Sequence, residues 1–256
     1  MLNNRQSDFR GDINSSRMQT PSYSQKRKTA VITGGTGTIG QALVEIISKR
    51  YDVVFTYLSN RNKAAELEHL YSAKAYRCDI TDINVAKRIS MKHDCDLLIN
   101  NAGISQIKEF SQLTELDWYK MMDVHLSGPF YFTQAFLPGM ISKKSGCVIN
   151  ISSVWGVHGA SCEVHYSTAK AGLIGFTKSL AKEVGPSGVR VNCIAPGVIT
   201  GNMNRGFSEE VLNDLKENTP LGRLGSAKEV AIAALYLAGA EFVTGQVLGV
   251  DGGFGM

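Results

Sequence analysis

The sequence lacks the features that would place this protein in a membrane or in an oxidising compartment. Its 256 residues include no run of about 18 apolar residues, the length that a membrane-spanning helix requires. It has five cysteines, but no two of them form a CxxC pair, and an odd number does not suit a disulfide framework. The histidines lack the spacing of a zinc site. We therefore expect no membrane span, no bound metal and a cytoplasmic location.

The chain also lacks a strong excess of charge of either sign. Its 27 basic and 23 acidic residues give a formal charge of +4, and much of that excess lies in the first 28 residues. The remainder is close to neutral and gives no reason to expect nucleic acid as a partner.

Residues 1–26 are polar and contain no apolar h-region, so they do not match a secretory signal. We predict a disordered polar tail for this segment. A mitochondrial presequence is the weaker alternative, because Asp8 and Asp12 oppose it.

From residue 27 onwards, apolar runs alternate with stretches of helical periodicity. The runs are continuous rather than alternating, as expected of parallel strands covered on both faces. Residues 27–256 are therefore predicted to form a single-domain Rossmann fold, an α/β fold with a doubly wound, mostly parallel sheet and helices on both faces. The predicted strands are 28–33, 52–57, 74–78, 96–100, 147–152, 189–194 and 246–250, and the predicted helices are 39–50, 62–71, 82–92, 114–127, 129–143, 164–184, 208–216 and 226–238.

A glycine-rich segment, VITGGTGTIG (31–40), lies between the first predicted strand and the first predicted helix. Glycines let the backbone approach a ligand closely, and the free N–H groups of a helix N-terminus bind phosphate. Such a turn is weak evidence alone, but its place in a βαβ unit makes it informative. It predicts a dinucleotide site.

The end of the second strand predicts which dinucleotide is bound. The segment FTYLSNRNK (55–63) has no acid to hold a ribose 2′-hydroxyl, and instead offers Ser59, Asn60, Arg61 and Lys63. Hydroxyl, amide and guanidinium groups suit a 2′-phosphate, which favours NADPH over NADH. The alternative is that Arg61 and Lys63 are solvated charges at the start of a helix.

Two further segments, CDIT (78–81) and NNAG (100–103), each follow a predicted strand. Loops in this position line the carboxyl edge of a parallel sheet, where open α/β folds bind ligands. The asparagines of NNAG can hydrogen-bond neighbouring loops, and its Ala-Gly leaves room for an adenosine.

The segment EVHYSTAK (163–170) places Tyr166 four residues before Lys170, on one face of a helix. An ammonium near a phenol should lower the tyrosine pKa from about 10 towards neutrality and make it a general acid. Ser153 lies thirteen residues upstream, just after a strand, where a hydroxyl can hydrogen-bond a substrate oxygen. Most isolated pairs at this spacing are only helix neighbours.

Taken in order, TGGTGTIG, NNAG, Ser153, Tyr166 and Lys170 resemble the short-chain dehydrogenase/reductase family over about residues 28–256. The resemblance extends to RVNCIAPGVIT (190–200) and VTGQVLGVDGG (243–253). It implies that Ser153 orients a substrate carbonyl and that Tyr166 is the general acid. It also implies that Lys170 lowers the pKa of Tyr166 and holds the nicotinamide ribose of NADPH/NADP+.

The resemblance further implies that Asp79 and Ile80 face the adenine, and that residues 101–103 face the adenosine ribose. Val198 and Thr200 would contact the nicotinamide carboxamide. The full implied set of cofactor-binding residues is Gly34, Thr36, Gly37, Thr38, Ile39, Gly40, Ser59, Asn60, Arg61, Asp79, Ile80, Asn101, Ala102, Gly103, Tyr166, Lys170, Pro196, Gly197, Val198 and Thr200.

Two residues depart from the family pattern. Thr38 stands where the glycine loop usually has a second glycine, and we expect Gly37 to supply the missing flexibility. His125 stands where the family usually has an asparagine that holds a water linking the lysine to solvent. Histidine can serve the same relay as a fourth catalytic residue or make turnover more pH-sensitive. A packed helix histidine is the alternative.

Within the family, YSTAKAGLIGFTKSLAKEV and TPLGRLGSAKEVA resemble the 3-oxoacyl-(acyl carrier protein) reductases. In those enzymes basic residues beside the active site dock the carrier protein. Lys144 matches one such position, whereas Gly185-Pro186-Ser187 has no arginine at the other. The resemblance therefore favours a ketone substrate on acyl carrier protein without requiring that partner.

Other functions remain open. Residues 152–170 also resemble Gram-positive paralogues, one of which reduces a ketone on modified elongation factor P. The lid at 202–222 sets specificity, and its Met203 and Phe207 suggest an apolar wall around another small ketone. A non-catalytic NADPH sensor is the rival of a different class. The family is usually tetrameric, so we expect a homotetramer, with a dimer as the alternative.

Overall fold

A computed structural model describes residues 27–201 and 208–254. The predicted disordered tail and the apolar lid residues Met203 and Phe207 lie outside the described residues. In the part described, no helix combines the length and the apolar character needed to cross a membrane.

Seven parallel strands form one sheet in the order β3-β2-β1-β4-β5-β6-β7. The sheet is entirely parallel, where the sequence predicted a mostly parallel one. The order reverses between β1 and β4, which opens a crevice at the carboxyl edge between them. The strands are β1 (Thr29–Ile32), β2 (Asp52–Tyr57), β3 (Lys74–Arg77), β4 (Leu97–Asn100), β5 (Gly146–Ile151), β6 (Val189–Pro196) and β7 (Val247–Val250).

Helices cover both faces of the sheet. Helices α1, α2 and α9 pack on one face, and α3, α5 and α7 pack on the other. Neighbouring residues of a strand point to opposite faces, so Val31 and Ile32 enter different cores, which explains the unbroken apolar runs. The helices are α1 (Thr38–Ile47), α2 (Arg61–Tyr71), α3 (Ile83–Ser90), α4 (Glu115–Met122), α5 (Gly128–Lys143), α6 (Trp155–His158), α7 (Val164–Val184), α8 (Glu209–Glu217) and α9 (Ala227–Gly239).

Two local features differ from the predicted elements. The helices predicted at 114–127 and 129–143 are joined by a π-helical stretch, Asp123–Ser127, which runs directly into α5. The sequence also gave no sign of α6, which spans four residues and lies between Ser153 and α7. Both features lie beside the predicted catalytic residues, and π-helical turns often occur at functional sites.

A buried polar network ties the middle of the sheet to both long helices. The amide nitrogen of Asn100 donates to Asn150 Oδ1 at 2.8 Å and to Thr133 Oγ1 at 3.1 Å. The amide nitrogen of Asn150 donates in turn to Thr177 Oγ1 at 2.9 Å. All four side chains are buried, so each depends on its partners to replace lost water. The network therefore fixes α5 and α7 against β4 and β5.

Replacing Asn150 by alanine should lower the free energy of unfolding by about 2–4 kcal/mol, because buried groups on Asn100 and Thr177 lose their partner. Urea denaturation followed by circular dichroism measures this change. Asn62→Ala, on the exposed face of α2, is the matched control and should change stability by less than about 0.5 kcal/mol. Equal effects of the two substitutions would contradict the role of the network.

Candidate active site

The three predicted catalytic side chains meet at the carboxyl edge of the sheet. Ser153 follows the end of β5, while Tyr166 and Lys170 lie one turn apart on α7. The Ser153 hydroxyl lies near enough to the Tyr166 hydroxyl to oppose the rise of its pKa, and the backbone N–H of Trp155 donates to Ser153 Oγ at 3.2 Å. Ser153, Tyr166 and Lys170 are only 7%, 8% and 4% exposed. The arrangement offers two hydroxyls to one substrate oxygen.

Lys170 is held behind the phenol by the strand end. Its Nζ donates to the carbonyl oxygen of Ile151 at 2.8 Å and lies 5.6 Å from the centroid of the Tyr166 ring. Ser152 Oγ donates to the Lys170 carbonyl oxygen at 2.9 Å, which joins β5 to α7. A Cβ on Gly156 would lie 2.8 Å from the carbonyl carbon of Lys170, so glycine lets α6 approach α7.

The prediction that Lys170 lowers the pKa of Tyr166 towards neutrality is wrong for this structure. Burial raises the pKa of Tyr166 to about 12, and the hydrogen bond from Ser153 only partly opposes that rise. Burial also lowers the pKa of Lys170 to about 8. Desolvation of both groups outweighs the charge of the ammonium, and the depth of burial cannot be read from the spacing of the two residues.

His125, the predicted fourth catalytic residue, lies beside Tyr166, but its environment keeps it neutral. Its ring meets the Tyr166 ring edge-on, with centroids 5.2 Å apart. Burial lowers the pKa of His125 well below 6.5, and the charge of Lys170 adds to that effect. This opposes the expectation that His125 titrates near neutral pH.

The contacts of His125 are compatible with either neutral tautomer. Its Nε2 lies 2.8 Å from the carbonyl oxygen of Ile104 and 3.2 Å from the Ile104 N–H, so it can donate to the first or accept from the second. Its Nδ1 is buried and has no hydrogen-bond partner among the described residues. A Cβ on Gly103 would lie 2.7 Å from the ring, so the glycine makes room for the imidazole. A buried ring nitrogen without a protein partner, in a ring that contacts Tyr166, suits the predicted relay through a water.

The glycine loop after β1 is joined to the NNAG segment at the end of β4 by several hydrogen bonds. Thr33 Oγ1 accepts from the backbone N–H groups of Asn101 and Ala102 at 2.9 and 3.0 Å. The side chain of Asn101 donates to the carbonyl oxygens of Thr33 and Gly34. A Cβ on Gly34, which has φ +70°, would lie 2.7 Å from Ala102 Cα. The Asn101 side chain therefore shapes the loop, and the Ala102–Gly103 backbone is left to line the crevice.

The N-terminus of α1 fits a pyrophosphate. Thr38 and Ile39 begin the helix, no acidic residue occurs in its first turn, and exposed Gly37 leaves the approach open beside Thr36. Gly37 has φ −72°, which any residue adopts, so it does not supply the unusual flexibility that we expected. A Cβ on Gly40 would lie 2.1 Å from the Gly34 carbonyl oxygen, so this glycine is required for close packing.

Thr38 is accommodated by a glycine elsewhere in the chain. A Cβ on Gly201 would lie 2.5 Å from Thr38 Cγ2. The missing side chain at 201 therefore leaves space for the side chain that Thr38 introduces. The compensation for Thr38 therefore lies in the segment that follows β6, and not at the neighbouring Gly37 as expected.

The end of β2 presents polar and basic groups at the surface. Ser59, Asn60 and Arg61 are exposed, and Asn60 Oδ1 caps α2 by accepting from the Lys63 N–H at 3.1 Å. The Lys63 ammonium is paired with Glu66 at 2.5 Å. Arg61 therefore remains as the basic group expected to meet a 2′-phosphate.

Arg77 is a basic residue here that sequence reasoning missed. It ends β3 in register with Tyr57, and its Nε donates to the Leu58 carbonyl oxygen at 3.1 Å. The guanidinium therefore lies beside the segment that carries Ser59 and Arg61. In the sequence Arg77 is visible only as a basic residue at the end of the third strand. Its closeness to the end of β2 becomes clear only when β3 is known to pair with β2.

Asp79 and Ile80 differ in their suitability as an adenine wall. Asp79 is exposed, and its Oδ1 accepts from the N–H and hydroxyl of Thr81 at 2.9 and 2.8 Å, which shapes the loop. The Ile80 side chain is buried in the core against Gly128, so it is not free to form a wall against an adenine.

The segment after β6 is held at both sides. Pro196 is buried at the end of β6, and the N–H of Gly197 donates to the Val250 carbonyl oxygen at 3.0 Å. Val198 is half-buried and accepts from the Gly225 N–H at 2.9 Å. Thr200 is exposed, and its N–H donates to the Gly225 carbonyl oxygen. These four residues therefore belong to a segment that is held in place near the carboxyl ends of the strands.

One acidic residue, Glu163, lies near the predicted catalytic set. It is the N-cap of α7, makes no side-chain capping bond and is half-buried, and burial raises its pKa. Its charge acts on Tyr166, so the carboxylate lies near the phenol. No pattern in the sequence pointed to this position.

The resemblance implied that Lys144 lies beside the active site. In the structure Lys144 lies away from the active site of its own chain. It precedes β5, whereas Ser153 follows the other end of that strand. Six strand residues separate the two edges, a distance of about 20 Å. Ser187 precedes β6 at the same amino edge as Lys144.

Other reactive chemistry has no support in the structure. All five cysteines are free thiols, and burial raises the pKa of Cys78, Cys147 and Cys193 to about 11. Across residues 27–201 and 208–254, no three His, Cys, Asp or Glu side chains group together as metal ligands.

Comparison with known proteins agrees with this geometry. The chain is 41% identical over 239 residues to the 3-oxoacyl-(acyl carrier protein) reductase FabG of Aquifex aeolicus, covering 88% of this chain and 96% of that protein. It is 37% identical to the uncharacterized oxidoreductase YmfI of Bacillus subtilis, covering 89% and 98% of the two chains.

Among solved structures, a blue fluorescent protein from a metagenomic library in complex with NADPH superimposes with a TM-score of 0.84, at 30% identity. The match covers 90% of this chain and 98% of that chain. Residues 36–255 match the family model described as enoyl-(acyl carrier protein) reductase. With the glycine loop, the Ser153–Tyr166–Lys170 set and these matches together, the chain belongs to the short-chain dehydrogenase/reductase family of oxidoreductases.

Proposed function

We propose that this protein is an NADPH-dependent carbonyl reductase that acts on 3-oxoacyl thioesters. The observation that carries the proposal is the buried Ser153–Tyr166–Lys170 set at the carboxyl edge, next to a locked glycine loop. Two hydroxyls converge where a carbonyl oxygen can bind, which suits protonation of an oxygen. A sensor without catalysis would have no use for this arrangement.

The bound nicotinamide supplies the hydride that the carbonyl carbon receives. Ser153 Oγ and the Tyr166 hydroxyl hydrogen-bond the carbonyl oxygen and orient it. Tyr166, whose pKa of about 12 keeps it protonated, then donates its proton to the developing alkoxide. The Lys170 ammonium stabilises the tyrosinate that remains, and this interaction strengthens as charge develops.

NADPH is the cofactor that the chain's own residues favour. Arg61 and Arg77 present guanidinium groups at the ends of β2 and β3, with Ser59 and Asn60 between them. No Asp or Glu stands at this end of β2 to hold a ribose 2′-hydroxyl and repel a 2′-phosphate. A structural relative binds NADPH, which supports the same choice.

The thioester substrate is supported by the relative that reduces 3-oxoacyl groups on acyl carrier protein. Lys144 lies at the amino edge of the sheet, so a docked carrier must deliver its substrate to the active site of another subunit. That geometry fits the homotetramer we propose, and exposed apolar side chains on α4 and α5 offer a surface for it: Leu116, Tyr119 and Phe130. A cytoplasmic location remains a prediction.

A second candidate substrate is a ketone that carries an ammonium group. Glu163 is half-buried near Tyr166, and none of the ion pairs within residues 27–201 and 208–254 includes it. A substrate cation would relieve the cost of burying that carboxylate. A ketone on a modified lysine belongs to this class.

Wild-type protein should oxidise NADPH when given a 3-oxoacyl thioester, and Tyr166→Phe should lower kcat by at least about 100-fold because the proton donor is gone. Absorbance at 340 nm measures turnover, and quenching of protein fluorescence measures NADPH binding, which the variant should retain. Normal turnover by the variant would refute the acid assignment. Tight NADPH binding without turnover of any ketone would favour the sensor.

The same assay separates the two substrate classes. A neutral 3-oxoacyl thioester and an amino ketone of similar length are compared in wild type and in Glu163→Gln. If the ammonium ketone is the substrate, the substitution lowers its kcat/KM by about tenfold and leaves the neutral substrate within twofold. If the thioester is the substrate, wild type prefers it and the substitution has little effect. Glu241→Gln, on an exposed loop, is the control.

The rate of reduction should fall as pH rises through about 8. The pKa of Lys170 is lowered to about 8, so its ammonium is lost above that pH and the tyrosinate loses its stabilising charge. A profile of kcat between pH 6 and 10 at constant ionic strength measures this limb. Lys170→Arg keeps its charge over that range, so it should be slower but lack the limb. If kcat of this variant fell with pH as it does in wild type, the titration would belong to another group.

Arg61→Ala and Arg77→Ala should each raise the KM for NADPH by about tenfold, because each removes a charge-assisted bond to the 2′-phosphate. The KM for NADH, which lacks that phosphate, should stay within twofold. Lys63→Ala is the matched control, since the Lys63 ammonium is already paired with Glu66. Equal changes for both cofactors would show that the arginines do not read the 2′-phosphate.

A further inference from the structure

A second buried histidine, His165, lies directly before the catalytic tyrosine on α7. It is 0% exposed, and its Nε2 lies 3.0 Å from Gln106 Oε1. Its Nδ1 is buried without a hydrogen-bond partner among the described residues. Nothing in the proposed reaction has so far used this side chain.

Gln106 connects His165 to a carboxylate nearer the surface. The Gln106 Nε2 donates to Asp117 Oδ1 at 2.7 Å. Lys108 Nζ donates to Asp117 Oδ2 at 2.7 Å, and the N–H and hydroxyl of Thr114 donate to the same oxygen at 3.0 and 2.7 Å. These donors hold the pKa of Asp117 well below its usual range, with the Lys108 bond the largest cause. Asp117 is therefore a permanent acceptor.

The direction of each hydrogen bond follows from that acceptor. A carboxylate cannot donate, so Gln106 must turn its NH₂ to Asp117 and its oxygen to His165. An amide oxygen cannot donate either, so His165 must carry its proton on Nε2. Its Nδ1 is then an unprotonated acceptor. Asp117 thus determines the tautomer of a histidine that it does not touch.

The groups that face His165 leave it neutral. Burial lowers its pKa, the charge of Asp117 opposes that shift, and the charge of Lys108 adds to it. His125 also interacts with His165 and is itself neutral, and Glu163 and Tyr166 flank His165 in the chain. Both imidazoles are therefore neutral, and each has a buried Nδ1 without a partner among the described residues.

The same network joins the segment before α4 to the segment before α7. The Lys108 N–H donates to the carbonyl oxygen of Cys162 at 2.8 Å, and Cys162 has φ +61°, a strained conformation for a residue other than glycine. The first turn of α7, which carries Tyr166, is thus tied to Asp117 both by backbone and by side chain.

We propose that Gln106 and Asp117 are positioning residues for the catalytic tyrosine: they hold His165 as its neutral Nε2–H tautomer and thereby fix the first turn of α7. This inference rests on the proposed reductase function. A neutral His165 adds no second positive charge near Tyr166, so the Lys170 ammonium remains the charge that stabilises the tyrosinate.

The tautomer is measured without any turnover, by ¹⁵N magic-angle-spinning spectroscopy of sedimented protein labelled at histidine. The chain has five histidines, and the His165 signals are assigned by their loss in His165→Gln. At pH 7, wild-type His165 should show a protonated Nε2 and an unprotonated Nδ1. An imidazolium or an Nδ1–H tautomer would overturn the proposal, and this result is independent of whether the protein reduces any ketone.

Two variants separate positioning from simple stabilisation of α4. Thr114→Ala removes the hydroxyl of the α4 capping box but leaves the Asp117–Gln106–His165 chain intact. Asp117→Asn removes the fixed acceptor, so Gln106 can rotate and both tautomers of His165 become populated. Asp117→Asn should lower kcat about tenfold with KM within twofold, whereas Thr114→Ala should lower Tm and leave kcat within twofold. Equal kcat in the two variants at equal Tm would make the role structural and defeat the proposal.

A third variant, Gln106→Glu, places a carboxylate against His165 and should raise the pKa of that histidine. The pH profile of kcat should gain a step that wild type and Thr114→Ala lack. The midpoint of that step should coincide with the ¹⁵N titration of His165. A titration of His165 with no matching step in kcat would show that its charge does not reach Tyr166, contrary to the proposal.

Discussion

The active site depends on burying a phenol and an ammonium group side by side. Burial disfavours the charged form of each, so both begin the reaction closer to neutrality than they would be in water. For reduction this is useful, because the tyrosine must hold its proton until negative charge develops on the substrate oxygen. In the proposed reaction the interaction with Lys170 gains strength at that moment, which is the condition for accelerating a chemical step rather than only binding the substrate.

The rest of the fold supplies the rigidity that this arrangement needs. Lys170 is held by the Ile151 carbonyl oxygen, and α7 is fixed to the sheet by Ser152 and by the buried Asn150–Thr177 contact. On the cofactor side, Thr33 and Asn101 join the segments after β1 and β4 with reciprocal hydrogen bonds. The proposed proton donor and the proposed phosphate-binding loop are therefore parts of one hydrogen-bonded frame, built from polar side chains at and just beyond the ends of the strands.

Much of this was predictable because it depends on local pattern. The strand at 52–57 and the helix at 164–184 were predicted with the bounds observed, since apolar periodicity and turn residues determine them. The positions of Ser153, Tyr166 and Lys170 followed from the order of motifs. The raised pKa of Tyr166 did not, because it depends on how deeply α7 is covered. Arg77 was missed for a related reason: its closeness to Leu58 depends on the pairing of β2 with β3. The compensation of Thr38 by Gly201 likewise joins residues far apart in sequence.

The two buried histidines, His125 and His165, show that a histidine in this part of the fold need not act as a pH-dependent switch. An imidazole is expected to titrate near neutral pH, yet burial pushes the pKa of both His125 and His165 downwards. The Nε2 of His165 donates to Gln106, and the Nε2 of His125 contacts the backbone of Ile104. The buried Nδ1 atoms of both rings have no hydrogen-bond partner among the described residues. Histidine at these positions thus provides hydrogen-bonding geometry without its usual charge, which leaves the electrostatics of proton transfer to the lysine.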